Sequence, residues 1–387
     1  MKNQFKIHNG DSLELIKTLD DNSIDNICTD PPYGYNFMGK NWDKALPPKN
    51  IWKECFRVLK PGGFAFIMSS PRVDVSSRLA LMLEEIGFVT TFTPIFWTYT
   101  SGFPKGYNMG QSAEKKLTTG SARRPDRDLG GVDRNRWGSA EGGPAQTGGQ
   151  LELTLEESKK LQNSYGGFQP KPAVELILVV MKPMSEKNYV EQALKNNKGV
   201  TRLLDCNIQN DGEEDRIMSN LIMEDDVLHE NSKFFQIDTW WKNKVEKLGK
   251  KISEEFPFLL VKKPNKIEKE SGIHSVEEKI GGAYLGNVQE KSLNAIGKNP
   301  NRAPRKTKND HPTVKPIQLM SYLVNLGSSE GEIVLDPFMG SGTTGIACVL
   351  NNRKFIGIDL DKRYCDIAND RIEYFSQNLF TQSDVND

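Results

Sequence analysis

Apolar residues recur along this chain in two rhythms. Short runs rich in β-branched or alternating residues predict strands at Phe5 to His8, Ile24 to Cys28, Phe64 to Met68, Thr91 to Tyr99, Ala173 to Met181, Ile333 to Leu335 and Lys354 to Ile358. Helical spacing predicts helices at Leu13 to Leu19, Pro48 to Leu59, Arg78 to Ile86, Tyr189 to Lys195, Ile317 to Leu326, Gly345 to Asn351 and Tyr364 to Phe375. Turn residues punctuate these elements. Asn9-Gly10-Asp11-Ser12 can cap the first helix, Lys60-Pro61-Gly62-Gly63 stops the second, and Pro94 suggests an edge or a bulge in its strand. The strand–helix–strand order at both ends of the chain predicts an α/β fold with a doubly wound, mostly parallel sheet. In such sheets the ligand edge lies at the strand C-termini, so Asp11 and Asp30, each ending a strand, are expected to share it.

Between residues 101 and 172 the rhythm is lost. Ser101 to Thr154 is rich in Gly, Arg and Ser and reads as a long structureless stretch, which is either functional or mobile. Residues 173–184 return to the core as a strand, and 185–310 show less sheet-like order. That last span carries an aromatic and basic stretch (Phe234, Phe235, Trp240, Trp241, Lys242, Lys244) and is the best candidate for a separate substrate-reading module.

Composition narrows the class. A length of 387 residues with 37% hydrophobic and 26% charged residues describes a soluble globular protein, one large domain plus a smaller one. No apolar run approaches a membrane span, and the N-terminus lacks an apolar signal region, so no membrane is expected and the cytoplasm is the default. Five scattered cysteines and four unclustered histidines argue against disulfides and against a metal site. Net charge is zero but unevenly spread: Gln209 to Glu230 holds eight acids and one Arg, whereas Ile296 to Lys315 holds six Lys or Arg and one Asp. Basic segments can therefore meet phosphates while the whole chain stays neutral. Candidates are Lys40, Arg123, Arg124, Arg127, Arg134, Arg136, Arg302 and Arg305; for the arginines between 123 and 136, a solvated loop is the equally weighted alternative.

Two stretches carry chemistry. In Asp30-Pro31-Pro32-Tyr33 the prolines stiffen the turn, fixing a carboxylate, a carbonyl and an aromatic ring relative to one another. An acceptor pair beside an aromatic plate suits a flat substrate with an exocyclic amine; a strand-ending turn with a polar cap is the other reading. Near the far end, Asp336-Pro337-Phe338-Met339-Gly340-Ser341-Gly342-Thr343-Thr344 links a strand to a helix, and the next strand ends at Asp359. Gly340 and Gly342 permit a tight turn and close ligand approach, Thr343 and Thr344 lie at a helix start that attracts a carboxylate, and Asp359 can accept from ribose hydroxyls. This fits a nucleoside-bearing cofactor rather than a dinucleotide or a triphosphate.

Together these residues resemble the S-adenosylmethionine-dependent DNA amino-methyltransferases, and the motif order resembles their β group. Asp30-Pro31-Pro32-Tyr33 looks like the catalytic motif and Phe338-Met339-Gly340-Ser341-Gly342 like the cofactor motif. Asn9-Gly10-Asp11 matches the adenine-side element, His311-Pro312-Thr313-Val314-Lys315-Pro316 the element beside the methionyl carboxylate, and Gly357-Ile358-Asp359 the ribose-binding acid. The resemblance implies a circularly permuted Rossmann-like methyltransferase sheet with its first two strands supplied by the C-terminus. It makes 1–100 the catalytic half, 311–387 the cofactor-binding half and 185–310 an inserted target-recognition region. The implied substrate is double-stranded DNA with its target base flipped out, and Cys28 is then a core residue. Asp-Pro-Pro-Tyr favours adenine N6 over cytosine N4 by family habit; RNA or a protein glutamine is a further alternative, as is a DNA-binding protein without catalysis. A homodimer and a cognate restriction endonuclease of a restriction-modification pair stay open.

Overall fold

The computed structural model describes residues 4–34, 45–98, 107–119, 154–166, 174–206, 217, 219–223, 241, 264, 266–281 and 305–380. Contacts divide the chain into two compact units: residues 1–31, 46–99 and 174–387 form the larger, and 32–45 with 100–173 the smaller.

In the larger unit the strands are β1 (Phe5–Asn9), β2 (Ile24–Thr29), β3 (Leu59–Ser69), β4 (Ile95–Thr98), β7 (Val174–Met181), β8 (Leu221–Met223), β11 (Ile333–Asp336) and β12 (Lys354–Asp359). Among the described residues these form one sheet in the order β1-β12-β11-β2-β3-β7-β4-β8. Pairing is parallel from β1 to β3, antiparallel on both sides of β7, and parallel again between β4 and β8. The two C-terminal strands thus lie between β1 and β2, and the turn after β11 leaves the sheet next to the turn after β2.

Strand alternation sorts side chains to two faces. Phe64, Phe66 and Met68 of β3 join a core with α8 (Ile317–Gly327), α9 (Thr343–Leu350) and α10 (Lys362–Phe380). Ala65 and Ile67 face a second core with α1 (Ser12–Ile16), α2 (Lys49–Val58) and α3 (Val73–Ile86). Every residue of α8 is buried, and Gly327 at its end is needed for close approach: a Cβ there would lie 2.4 Å from the Phe66 ring. Polar residues inside β2 have specific partners. Asp25 is 4% exposed, pairs with Lys60 Nζ at 2.6 Å and Lys198 Nζ at 3.2 Å, and accepts from Ile333 N; the Asn26 amide donates to Phe64 O.

Several elements differ from the sequence pattern. β3 begins at Leu59, ahead of the Pro-Gly-Gly turn, because Leu59 pairs with Ile24 before the register shifts and pairing resumes at Phe64. β4 begins only at Ile95: Pro94 has no N–H for the ladder, and its carbonyl accepts from the Asn220 side chain. β8 and Trp241 lie within the span expected to form a separate module, yet β8 closes the main sheet beside β4 and Trp241 is 1% exposed in the core.

In the smaller unit, β5 (Tyr107–Asn108) pairs with β6 (Tyr165–Gly166), beside α4 (Met109–Thr119) and α5 (Leu155–Lys160). The stretch expected to be structureless therefore contains a helix; residues 113–117, Ala-Glu-Lys-Lys-Leu, are all good helix formers. α5 starts with a capping box between Thr154 and Glu157. Within the larger unit α6 (Tyr189–Asn196), α7 (Lys266–Glu270) and the pair β9 (Lys279–Gly281) and β10 (Arg305–Thr307) complete the described elements used below. No helix among the described residues is long and apolar enough to cross a membrane.

Candidate active site

The site is built on the edge where β1, β12, β11 and β2 end. Asp359 closes β12 opposite Asn9 of β1, and the Asn9 side chain donates to the carbonyls of Asp359 and Leu360 at 3.1 and 3.0 Å. Asp11 then caps α1, its Oδ1 accepting from Leu13 N at 2.8 Å. Ser12 donates to Pro337 O at 2.6 Å, which fastens the first turn of the chain to the glycine turn.

The glycine turn is held from three directions. From β12, Asp359 Oδ2 accepts from Gly340 N at 2.9 Å while its Oδ1 accepts from Asp361 N at 2.9 Å. From below, Asp336 accepts from the hydroxyls of Thr29 and Thr344, each at 2.6 Å, and from Phe338 N at 3.1 Å. From α10, the fully buried Arg371 donates to Ser341 O at 2.5 Å and Ser341 Oγ at 3.1 Å, and reaches Thr343 Oγ1 at 3.5 Å. Burial raises the carboxyl pKa of both Asp336 and Asp359 to about 6 despite those hydrogen bonds, and burial lowers the guanidinium pKa of Arg371 to about 10.

Two glycines are obligatory here. Gly340 has φ of +51°, and a Cβ on it would lie 2.7 Å from His311 Nε2. Gly342 has φ of +79° and caps α9 without any side-chain hydrogen bond. The turn is thus a backbone cradle at an uncapped helix start, with a carboxylate (Asp359) on one flank and an imidazole over it. That donor set fits a nucleoside carrying a carboxylate: acid for ribose hydroxyls, helix N–H groups for the anion.

His311 accepts at Nδ1 from Thr313 N at 3.4 Å and stacks edge-on against Tyr364, with ring centroids 4.7 Å apart. Burial lowers its pKa to about 4, so the ring is neutral. Lys315, four residues on, is 8% exposed and ion-paired to Asp30 Oδ2; its Nζ also lies 3.5 Å from Glu175 Oε2. Burial opposes the ammonium, but the two carboxylates hold its pKa above the usual lysine range.

The structure therefore brings together Asp30, Lys315, His311, Thr313, Asp336, Gly340, Gly342, Thr343, Asp359 and Asp11 on one edge of one unit. Asp336 is only 2% exposed and serves as an internal staple between β2, β11 and α9. Phe338 turns away onto Trp52, with ring centroids 5.9 Å apart. Pro31 is the last residue of the larger unit's first segment, and Pro32 with Tyr33 opens the smaller unit. Lys40, Arg123, Arg124, Arg127, Arg134, Arg136 and Arg302 lie outside the described residues; the backbone of Arg305 pairs with Gly281. Cys28, next to the Asp30 turn, is a fully buried core thiol whose pKa burial pushes up.

Sequence reasoning missed Glu175 and Arg371. Glu175 reads as one polar position in a core strand. Arg371 lies on a C-terminal helix whose register against the turn has no local sequence signal. Together with Glu268, Arg371 ties the turn to α7: it donates to Glu268 O at 3.3 Å, and the buried Glu268 carboxylate accepts from Ile317 N at 3.0 Å.

A family model described as DNA methylase, covering the N6 and N4 methyltransferases, matches residues 24–370. Among curated proteins, the chain is 51% identical over 65 residues to the orphan methyltransferase M.BamHII of Bacillus amyloliquefaciens, which covers 17% of this chain and 24% of that protein. It is 42% identical over 67 residues to the DNA adenine methyltransferase YhdJ of Escherichia coli (strain K12), covering 17% of this chain and 23% of that protein. The chain thus spans about a quarter of the length of these two relatives. A solved structure of an M1.HpyAVI–SAM complex aligns with 95% of this chain and 98% of its own at 18% identity, with a TM-score of 0.43. The match over residues 24–370, which takes in both the Asp30 turn and the glycine turn, places this chain in the DNA methylase family of N6 and N4 amino-methyltransferases.

Proposed function

We propose that the protein methylates the exocyclic N6 of a flipped adenine at a specific site in duplex DNA, using S-adenosylmethionine. One observation carries this reading. The Asp30 turn and the glycine turn leave adjacent parallel strands, β2 and β11, and a 2.6 Å hydrogen bond from Thr29 to Asp336 locks them together. An amine acceptor and a nucleoside cradle are thereby side by side on one edge.

The cofactor, when bound, supplies an electrophilic methyl group on a sulfonium. Asp359 would accept from its ribose hydroxyls, the N-terminus of α9 and Lys315 would hold its carboxylate, and Asp11 would serve its adenine. The Asp30 carboxylate and the Pro31 carbonyl accept the two hydrogens of the substrate amine. Those bonds draw the nitrogen lone pair out of conjugation with the ring and orient it. The Tyr33 ring stacks on the flipped base. The reaction needs positioning more than a strong base, and fixed orientation of two reactants supplies up to about 7–11 kcal/mol of a barrier in the best model systems. Lys40, the arginines at 123, 124, 127, 134, 136 and 302, and Arg305 are the proposed phosphate contacts.

The test is base-resolved sequencing of DNA from a host expressing the protein. N6-methyladenine at one short recognition sequence is the expected result. Modified cytosine in its place sinks the adenine assignment, and unmodified DNA beside methylated RNA sinks DNA as the substrate.

A further inference from the structure

Glu175 is the second residue of β7, which runs antiparallel to β3, so the start of β7 lies at the edge where the parallel strands end. There its Oε2 is 3.5 Å from Lys315 Nζ, whose other carboxylate partner is Asp30 Oδ2. The cluster is compact and enclosed: the Lys315, Asp30 and Glu175 side chains are 9%, 18% and 19% exposed. His311, a further titratable group against it, is neutral.

An ammonium this deep cannot leave one carboxylate for nothing. Stripping water from a charge and leaving it unpaired costs several kcal/mol, so a buried lysine stays where a counter-ion is. In the structure Asp30 is engaged by Lys315, yet the reaction asks the Asp30 carboxylate to accept hydrogen from the substrate amine. Resting on the methyltransferase reading, we propose that Glu175 is a positioning residue that shares Lys315 with Asp30, so that the ammonium withdraws toward Glu175 while Asp30 serves the amine. An ammonium has three N–H donors and a flexible stem, which suits it to move between two acceptors less than a side-chain length apart. Without Glu175, the hold of Lys315 on Asp30 strengthens and competes with the substrate amine.

Two measurements on the whole chain test this. With ¹⁵N-lysine, the Lys315 ammonium signal, assigned by its loss in Lys315→Arg, is recorded for wild type, Glu175→Gln and Glu175→Asp. The Gln variant is expected to shift that signal and speed its exchange with water several-fold, and the Asp variant to restore most of the protection. In turnover, Glu175→Gln is expected to lower kcat about tenfold with the KM for S-adenosylmethionine within about twofold, and to add nothing in a Lys315→Met background. An unmoved Lys315 signal, an unchanged kcat, or losses that multiply with Lys315→Met overturn it. A wild-type protein that methylates no DNA sinks the methyltransferase reading alone, and the ammonium signal still decides whether Glu175 holds Lys315.

Discussion

The two turns that leave β11 and β2 sit side by side and are held in opposite ways. The glycine turn is firmly held: Asp336, Asp359 and Arg371 bond it from three elements, and Asp336 and Arg371 are buried. The Asp30 turn is stiff in its backbone, but its carboxylate is held by a lysine that a second carboxylate also claims. One turn is built as a cradle whose shape exists before a ligand arrives, which lowers the cost of binding. The other is built so that its key group can be handed over, which is what a site of chemistry needs.

The largest effect that can break this contrast comes from Asp30→Ala. Methyl transfer is expected to fall below detection while the cofactor binds within about twofold of wild type, since Asp336, Asp359 and Arg371 hold the glycine turn. Transfer of labelled methyl to DNA and calorimetric cofactor titration measure the two halves. Residual turnover in that variant removes Asp30 from the mechanism, and lost cofactor binding shows that the turns are not independent.

Gly340→Ala attacks the other side. The residue has φ of +51°, and its new Cβ would meet His311 Nε2 at 2.7 Å. Left-handed backbone costs a non-glycine residue roughly 1–2 kcal/mol, and displacing the ring adds to it, so cofactor affinity should drop about tenfold or more. At saturating cofactor, kcat should stay near wild type. Adding His311→Ala should return part of the affinity in the Gly340→Ala background by clearing space; an unchanged loss would place the whole cost in the backbone.

How much of this was legible in the sequence follows the same divide. Both turns are, because proline and glycine act on their own backbone and need no distant partner: Asp30-Pro31-Pro32-Tyr33 and Gly340-Ser341-Gly342 declare their stiffness and their tightness locally. The core strands and helices are legible for the same reason, within about five residues at their ends. Glu175 is not, because only the antiparallel entry of β7 turns its first residues toward the site edge. Arg371 is not, because its role exists only once α10 is packed on the turn. The place of β8 at the sheet edge escaped for a related reason: three residues are too few for a periodicity, and it is the pairing with β4 that makes them a strand.

The smallest expected effect sharpens the contrast most. Asp336 and Asp359 both titrate near pH 6 because each is desolvated, but Asp336 is buried while Asp359 is only half-buried. A carboxyl pKa raised from its ordinary value of 3.8 means that the fold prefers the protonated form. Each group's contribution to stability is therefore present at low pH and is lost as pH rises through about 6. A donor such as a ribose hydroxyl favours the anion, so binding pulls the pKa of Asp359 back down. Cofactor affinity should then be flat above about pH 7 and weaken about tenfold between there and pH 5. Asp359→Asn should lower the affinity at pH 8 and flatten this profile, while the pH dependence of unfolding that comes from Asp336 persists. Calorimetry at several pH values with a parallel denaturation series separates the two. A pH-dependent affinity that survives in Asp359→Asn would assign the titration to another group and take the ribose role away from Asp359.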